Sequence, residues 1–451
     1  MSDHDEPATT GVKYQLHPLS PVIATAPVLP GLLIASWFIG GGAAFKYGVA
    51  GIPLGMIGIL ALVAVIFGYQ YLNWRKLEYW FDDSGDFRVD SGVIYRNERR
   101  LQLSRLQTVD VVSPLIPRLF GMASLRIEVA GAGNSKAVLS FLKQPDADAL
   151  RREIVGRAAG LGEQAKHVEA PETVIAQVPT EDLGLSLILR SSTVGLLLLT
   201  SVVLFVSYLD GGFKGLLLVP VTGGIPILMV AGEFLNLYGF TVATAGDGLR
   251  LRRGLLQTQS QTVPPGRVAA VDFIEPLLWR PKGWVRVQIT IAGVNSSSDD
   301  QKLSEGVLLP VAPWAEAKTI FALVMPGVDL DAIRLESAPQ KARWRAPFQF
   351  KQLGVGHSEK VLVTRRGWLT RHLSVVPHAR TQSVRVEQGP VSRRLGLASM
   401  YVDVPPGPVR IRAAFRSAPE ARELADAQAY RARQARARDQ STHWANPPTQ
   451  S

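Results

Sequence analysis

One constellation of residues is written three times in this chain, and that repetition constrains the fold more than any local feature. With Gly92 as origin, Arg105, Val109, Arg118 and Gly121 follow at +13, +17, +26 and +29. From Gly254 the same offsets reach Arg267, Val271, Arg280 and Gly283, and from Gly367 they reach Arg380, Val384, Arg393 and Gly396. Such self-similarity decides the architecture before residue propensities are weighed. The origins lie 254 − 92 = 162 and 367 − 254 = 113 residues apart, too far for a solenoid unit, so each copy is a domain.

Within a copy the pattern is that of strands. Leu125, Ile127 and Val129 match Val287, Ile289 and Ile291, then Met400, Val402 and Val404, at +33, +35 and +37. A period of two puts such side chains on one face of a sheet. Ahead of the origin, Phe87 and Val89 match Leu249 and Leu251, and turn residues precede each pair. The unit therefore opens as a β-hairpin. The origin glycine is expected to supply a turn or bulge with positive φ.

Each copy closes with a helical pattern, at Asp146 to Ala158, Pro313 to Val324 and Pro419 to about Arg438. Asp146 and Ser417 are placed to cap these helices, while Pro313 and Pro419 suit a first turn. The expected fold class is a multidomain α+β membrane protein. It has three small β-barrel or sandwich domains, each capped by a C-terminal helix, and two transmembrane helical hairpins.

The third copy resembles the bacterial pleckstrin-homology (PH) domain of membrane proteins of the YdbT type. The resemblance runs through Val376-Pro-His-Ala-Arg-Thr-Gln-Ser-Val384, Gln388-Gly-Pro and Arg393-Arg-Leu-Gly-Leu-Ala-Ser399. The first copy is similar through Arg105-Leu-Gln-Thr-Val109 and Arg118-Leu-Phe-Gly121. The second keeps Arg280-Pro-Lys-Gly283 but has Val268-Ala-Ala in place of the Leu-Gln-Thr or Thr-Gln-Ser step. The resemblance implies two packed antiparallel sheets with a C-terminal helix. It also implies a partner, a smaller membrane protein with one such domain, and a part in envelope stress or resistance to membrane-active agents.

Membrane segments are expected on length alone. Pro18 to Phe45 and Tyr47 to Trp74 are uncharged windows of 28 residues each, and roughly 20 residues cross a bilayer as helix. They predict one hairpin at 21–74, with spans near 23–44 and 49–71 joined at Lys46. A second hairpin is expected at 191–236, with spans near 191–209 and 215–233 and a tip at Asp210 to Lys214. Around these, 1–20 reads as a mobile tail, 75–160, 237–326 and 345–425 as the three domains, 161–190 as a polar connector, and 426–451 as a basic helix end and tail. Gly40-Gly-Gly42 lacks the lysine and hydroxyl residues of a phosphate loop and suits close helix packing. Each hairpin tip carries one lysine, Lys46 or Lys214. The open sides carry Lys13, Arg75, Lys76 and Arg190, a bias that puts both termini and all three domains in the cytoplasm.

No catalytic, cofactor or metal site is expected. With no cysteine in 451 residues, disulfides, thiolate metal sites and cysteine nucleophiles are excluded. The histidines have no metal spacing with carboxylates, and His372 and His378 have no counterparts in the other copies, so they read as strand-end or solvated residues. Two readings of the fourth span stand. Pro220, Gly223, Gly224 and Pro226 predict a broken helix, and Glu233 beside them has either an interfacial packing role or a part in transport.

The repeated arginines divide. Arg105, Arg267 and Arg380, with Gly92, Gly121, Gly254, Gly283, Gly367 and Gly396, read as structural repeat positions. Arg118, Arg280 and Arg393, beside a glycine turn, suit either structure or bidentate binding of phosphate or carboxylate. A net charge of +11 and the tail arginines Arg431, Arg433, Arg436 and Arg438 suit either anionic lipid, at about 1 kcal/mol per residue near a surface, or a solvated alanine and arginine helix. The expected partners are membrane lipids, the homologous smaller protein and a second copy of the chain. Nucleic acid is not expected, because no groove-reading motif is present.

Overall fold

In the computed structural model the described residues are 14–15, 20, 51–82, 85–92, 95–103, 106–129, 136–158, 173–209, 223–245, 248–263, 266–291 and 306–438. The first expected span, both hairpin tips, Arg105, Pro220 and the segment after 438 lie outside them. The chain forms two compact units, one essentially residues 1–168 and the other essentially 169–451.

The first unit holds the first copy. Strand β1 (Tyr14–Gln15) pairs with β2, so the expected tail is anchored at Tyr14↔Tyr79 and Gln15↔Glu78. Helix α1 (Gly51–Arg75) ends later than the expected 71, and its 25 residues rise about 37 Å at ~1.5 Å each. Next come β2 (Glu78–Phe81), β3 (Phe87–Ser91), β4 (Asn97–Leu101), β5 (Leu106–Ser113), α2 (Leu115–Leu119), β6 (Met122–Val129), β7 (Lys136–Lys143) and α3 (Gln144–Ala158). One antiparallel sheet runs β1-β2-β3-β4, and β5, β6 and β7 form a second ladder. Phe81, Phe87, Leu101, Leu125, Ile127, Leu139 and Ile154 fill the space with no exposure, each contributing roughly 1.5–3 kcal/mol of burial. Helix α3 seats Ala147, Leu150, Arg151 and Ile154 inward at helical spacing. It begins at Gln144, so Asp146 lies inside the first turn, favourable to the helix dipole, and does not cap.

The second unit opens with two elements inside the stretch expected to be a plain connector, β8 (Thr173–Gln177) and α4 (Thr180–Ile188). The connector reading fails because Leu183 and Leu187 of α4 are buried in the core of the second copy. Helix α5 (Ser191–Leu209) has the expected bounds and a mean hydropathy of 2.0, and among the described residues it alone is long and apolar enough to cross a membrane. Helix α6 (Ile225–Leu237) follows a π turn at Gly223-Gly224 and runs past the expected end at 233.

The second copy comprises β9 (Thr241–Ala245), β10 (Gly248–Arg253), β11 (Thr258–Val263), β12 (Val268–Pro276), a 3-10 turn at Leu277–Lys282, β13 (Trp284–Ile291), β14 (Val307–Pro313) and α7 (Trp314–Val324). Pro313 precedes α7 as its N-cap and is not in its first turn. Phe273 stacks on Trp314 at 5.3 Å and meets Phe321 at 5.5 Å.

The third copy begins before its expected start at 345, with β15 (Glu336–Ser337), α8 (Ala342–Arg345), β16 (Gly354–His357), β17 (Val361–Arg366), β18 (Thr370–Pro377) and a 3-10 turn at His378–Arg380. It continues with β19 (Ser383–Glu387), α9 (Pro390–Arg394), β20 (Leu397–Asp403), β21 (Ile411–Ser417) and α10 (Ala418–Arg438). Glu420 Oε2 accepts from the Ser417 N–H at 3.3 Å and from its Oγ at 3.4 Å, so the contact at the head of α10 is made by the Glu420 side chain, the reciprocal half of a capping box.

The repeated glycines perform the same backbone task in every copy. Gly92, Gly254 and Gly367 have φ of 105°, 105° and 94°, as expected of the origin. Gly121, Gly283 and Gly396 have φ of 67°, 63° and 68°. The N–H of each of these three donates to the carbonyl of the +26 arginine, while its carbonyl accepts from Gln144, Trp314 or Ala418 at the head of the closing helix. One glycine thus ends a short helical turn and tethers the long helix. The strands also share an irregularity, a register shift between +31 and +33 at Ala123/Leu125, Val285/Val287 and Ala398/Met400.

One feature was invisible to the repeat. Copies two and three do not remain separate sandwiches, because β12 pairs with β18 over six residues, Val271↔Val375 to Pro276↔Thr370. A single seven-stranded sheet results, in the order β14-β13-β12-β18-β17-β16-β15.

Candidate functional site

The joint between copies two and three absorbs several residues expected at a surface. Asp272 of β12, 3% exposed, accepts from Ser374 Oγ at 2.7 Å and lies 2.8 Å from His372 Nδ1 across the β12–β18 seam. Arg371 approaches Glu275 at 3.3 Å. Arg280 donates to the carbonyl of Trp368, so this +26 arginine joins two copies and does not present a free binding face. Arg380 donates to the Gly266 carbonyl at 2.6 Å, in line with a structural role. Arg267 is half-buried nearby, and burial, helped by the Arg380 charge, pushes its guanidinium below the usual arginine range.

Of the two histidines read as strand-end or solvated, His378 does stand at a strand end, directly after Pro377 of β18, and neither is fully solvated. His372 sits within β18, and His378 is fully buried with Nε2 3.0 Å from the Ser358 carbonyl. Burial holds the His378 imidazole below the ordinary histidine range, and Arg431 adds to the effect against opposing hydrogen bonds.

The other candidate arginines spread over separate places. Arg118 and Arg393 are exposed on α2 and α9. In α10, Arg433 and Arg438 are exposed, Arg436 donates to the Thr381 carbonyl at 3.0 Å, and Arg431 turns inward. The tail arginines are therefore not one solvated stripe, because α10 packs its Ala421, Gln428 and Ala432 face on the third copy.

The densest cluster centres on Glu233, which the sequence singled out, but its two arginine partners were not legible there. Arg190, between α4 and α5, donates to Glu233 Oε2 of α6 at 2.8 Å, and Arg286 of β13 donates to Glu233 Oε1 at 2.7 Å. Arg286 has a side chain only 7% exposed, against 25% for Glu233. Trp279, 2% exposed, donates its indole N–H to the Ser186 carbonyl at 3.0 Å and locks α4 onto the second copy. Beside these groups lies a cleft of about 660 Å³ whose lining includes Arg190, Ser191, Ser192, Arg286, Gln288 and His372. Only the chain separations of 43 and 53 residues kept this site out of sequence reach. Among the described residues no group of three His, Asp or Glu side chains is placed to hold a metal.

The comparison that decides the family covers most of the molecule. Residues 29–158, 187–328 and 333–432 each match the family described as Bacterial PH domain. The chain belongs to the bacterial PH domain family. The three matches contain the three copies, and the YdbT-type resemblance holds: the chain is 24% identical over 298 residues to the UPF0699 transmembrane protein YdbT of Bacillus subtilis (strain 168). That alignment spans 60% of this chain and 58% of the relative's length. No solved structure matches. As a PH-domain protein the chain departs from a string of independent modules, since its second and third PH domains share one sheet.

Proposed function

We propose that the chain is a non-enzymatic, multi-pass protein of the cytoplasmic membrane that presents its PH domains at the inner surface as a scaffold for lipid or protein partners. The relative's printed name, a transmembrane protein, and the apolar α5 support the membrane part of this reading. The observation that carries the scaffold part is the Arg190–Glu233–Arg286 cluster. It spends the one acid of α6 on holding that helix to a PH-domain strand. A carboxylate held between two guanidiniums is a mooring, whereas a transport site needs an acid that can release its partners. The β12–β18 joint adds that PH domains of this chain associate with one another by strand pairing, the chemistry a homologous partner would use. A part in envelope stress or resistance to membrane-active agents belongs to the same reading.

Transport by the interrupted α6 is the competing reading, favoured by the π turn at Gly223-Gly224. Proteoliposomes of the full chain separate the two. A scaffold gives no ion or solute flux, and Glu233→Gln leaves that background unchanged, while flux that disappears in the variant rejects the scaffold. Because the chain has no cysteine, single cysteines at Arg433 and Lys214 report topology cleanly. Labelling of intact cells by an impermeant maleimide is expected at 214 and not at 433, and the reverse pattern overturns the cytoplasmic assignment.

A further inference from the structure

The cleft beside α5 has a charge balance that its own residues do not complete. Arg190 and Arg286 bring two positive charges to a single carboxylate, Glu233, which leaves a net +1 there. Each guanidinium carries five N–H donors, and Glu233 takes one from each. The Arg286 Nε is buried without a partner. Ser191 and Ser192 add hydroxyls at the first turn of α5, where a 19-residue helix points its unsatisfied N–H groups and positive dipole end. None of the lining side chains is an acid.

The other wall is apolar, built from Leu187, Ile274, Pro276 and Trp279. From this rim α5 continues with exposed leucines at Leu196, Leu197, Leu198 and Leu199. A ligand that satisfies both walls has an anionic head and a hydrocarbon tail lying along α5.

We infer that this cleft binds the phosphate of one anionic glycerophospholipid, with the Arg190 and Arg286 guanidiniums and the Ser191 and Ser192 hydroxyls as its donors. The inference rests on the membrane reading above. The lipid would be held at the point where α4, α5 and the second and third PH domains meet, and it would tie all of them to the inner leaflet.

The test uses the full chain in nanodiscs of phosphatidylcholine containing a minor share of phosphatidylglycerol, followed by native mass spectrometry after detergent release. One phosphatidylglycerol retained well above its share of the bilayer is expected. Arg190→Gln weakens retention about fivefold, the effect of removing one near-surface cationic contact. Ser192→Glu, which puts a negative charge in the wall at a first-turn position that suits the helix dipole, reduces retention at least as much while the thermal unfolding midpoint holds. Retention in both variants equal to that of the parent chain overturns the inference. Displacement of the lipid by free glycerol phosphate alone, without dependence on its chains, would identify a soluble anion site and also overturn it. Annular phosphatidylcholine serves as the separate control. Its absence rejects the membrane reading itself, whereas its presence without phosphatidylglycerol preference rejects the cleft alone.

Discussion

Arg286 Nη1 lies 2.7 Å from Glu233 Oε1, so a central strand of a PH domain and helix α6 share one largely buried ion pair. Removing Glu233 leaves the buried Arg286 without its carboxylate. Glu233→Gln is expected to cost ~2–3 kcal/mol, less than a fully buried pair because Glu233 is a quarter exposed. Replacing both, with Glu233→Leu and Arg286→Met, is expected to cost far less than the single change. Thermal unfolding of the purified chain in detergent measures both, and a double variant worse than Glu233→Gln sinks the pairing.

Gly367 turns the chain between β17 and β18 at φ 94°, where an added Cβ would sit 1.9 Å from the Thr370 carbonyl oxygen. Gly92 does the same in the first copy, 2.0 Å from the Tyr95 carbonyl oxygen. The backbone strain alone is about 1–3 kcal/mol, and the clash adds to it. Gly367→Ala is expected to speed amide exchange across Val361–Pro377, while Gly92→Ala does so across Phe87–Leu101. Hydrogen exchange read by mass spectrometry checks both, and a silent Gly367→Ala would contradict the assigned conformation.

His378 supplies a pH dependence. Its folded-state pKa lies below the ordinary histidine value of about 6.5, so the unfolded chain takes up a proton first as pH falls. The neutral ring's contribution is therefore complete above that value. It is lost on acidification by up to about 1.4 kcal/mol per pH unit until the folded histidine also protonates. Urea midpoints between pH 7 and pH 5 are expected to fall, and His378→Gln to flatten the dependence. Unchanged slopes in the variant would assign the acid sensitivity elsewhere.

The seam register gives a fourth expectation. Asp272 at +18 of the second copy faces Ser374 at +7 of the third. In the third copy +18 is Arg385, on β19, and in the first copy +7 is Arg99, on β4. Two chains joined head to tail by the same seam would bring Arg385 opposite Arg99, a like-charge pair that disfavours the sheet. Arg99→Glu removes the repulsion and is expected to produce self-association that rises with concentration and fades in high salt. Sedimentation of the detergent-solubilised chain reads this, and a variant no more associated than the parent excludes the seam as an assembly mode.

What could be read in the sequence was whatever repeats. The positive φ of Gly254 and Gly367, the alternation through Val287 and Ile289, and the closing helices follow from offsets within one copy and from backbone sterics. The seam did not follow, because strand periodicity tells which face of β12 is apolar and nothing about which edge meets β18. Arg280 was undecided for the same reason, since its partner is the carbonyl of Trp368 in the next copy. The connector was misread because Thr180 to Arg190 mixes charges with leucines, and only the tertiary neighbours Trp279 and Phe234 explain why Leu183 and Leu187 point inward. Arg190, Glu233 and Arg286 belong to no motif, and folding alone assembles them.

β19 stands at the outer side of its sheet among the described residues, with Arg385 and Glu387 where β12 carries Asp272 and Ile274. Charged outer strands resist chance additions. A strand that adds to this edge would therefore have to bring an acid opposite Arg385, and the chain's own +7 positions, Arg99, Gln261 and Ser374, supply none.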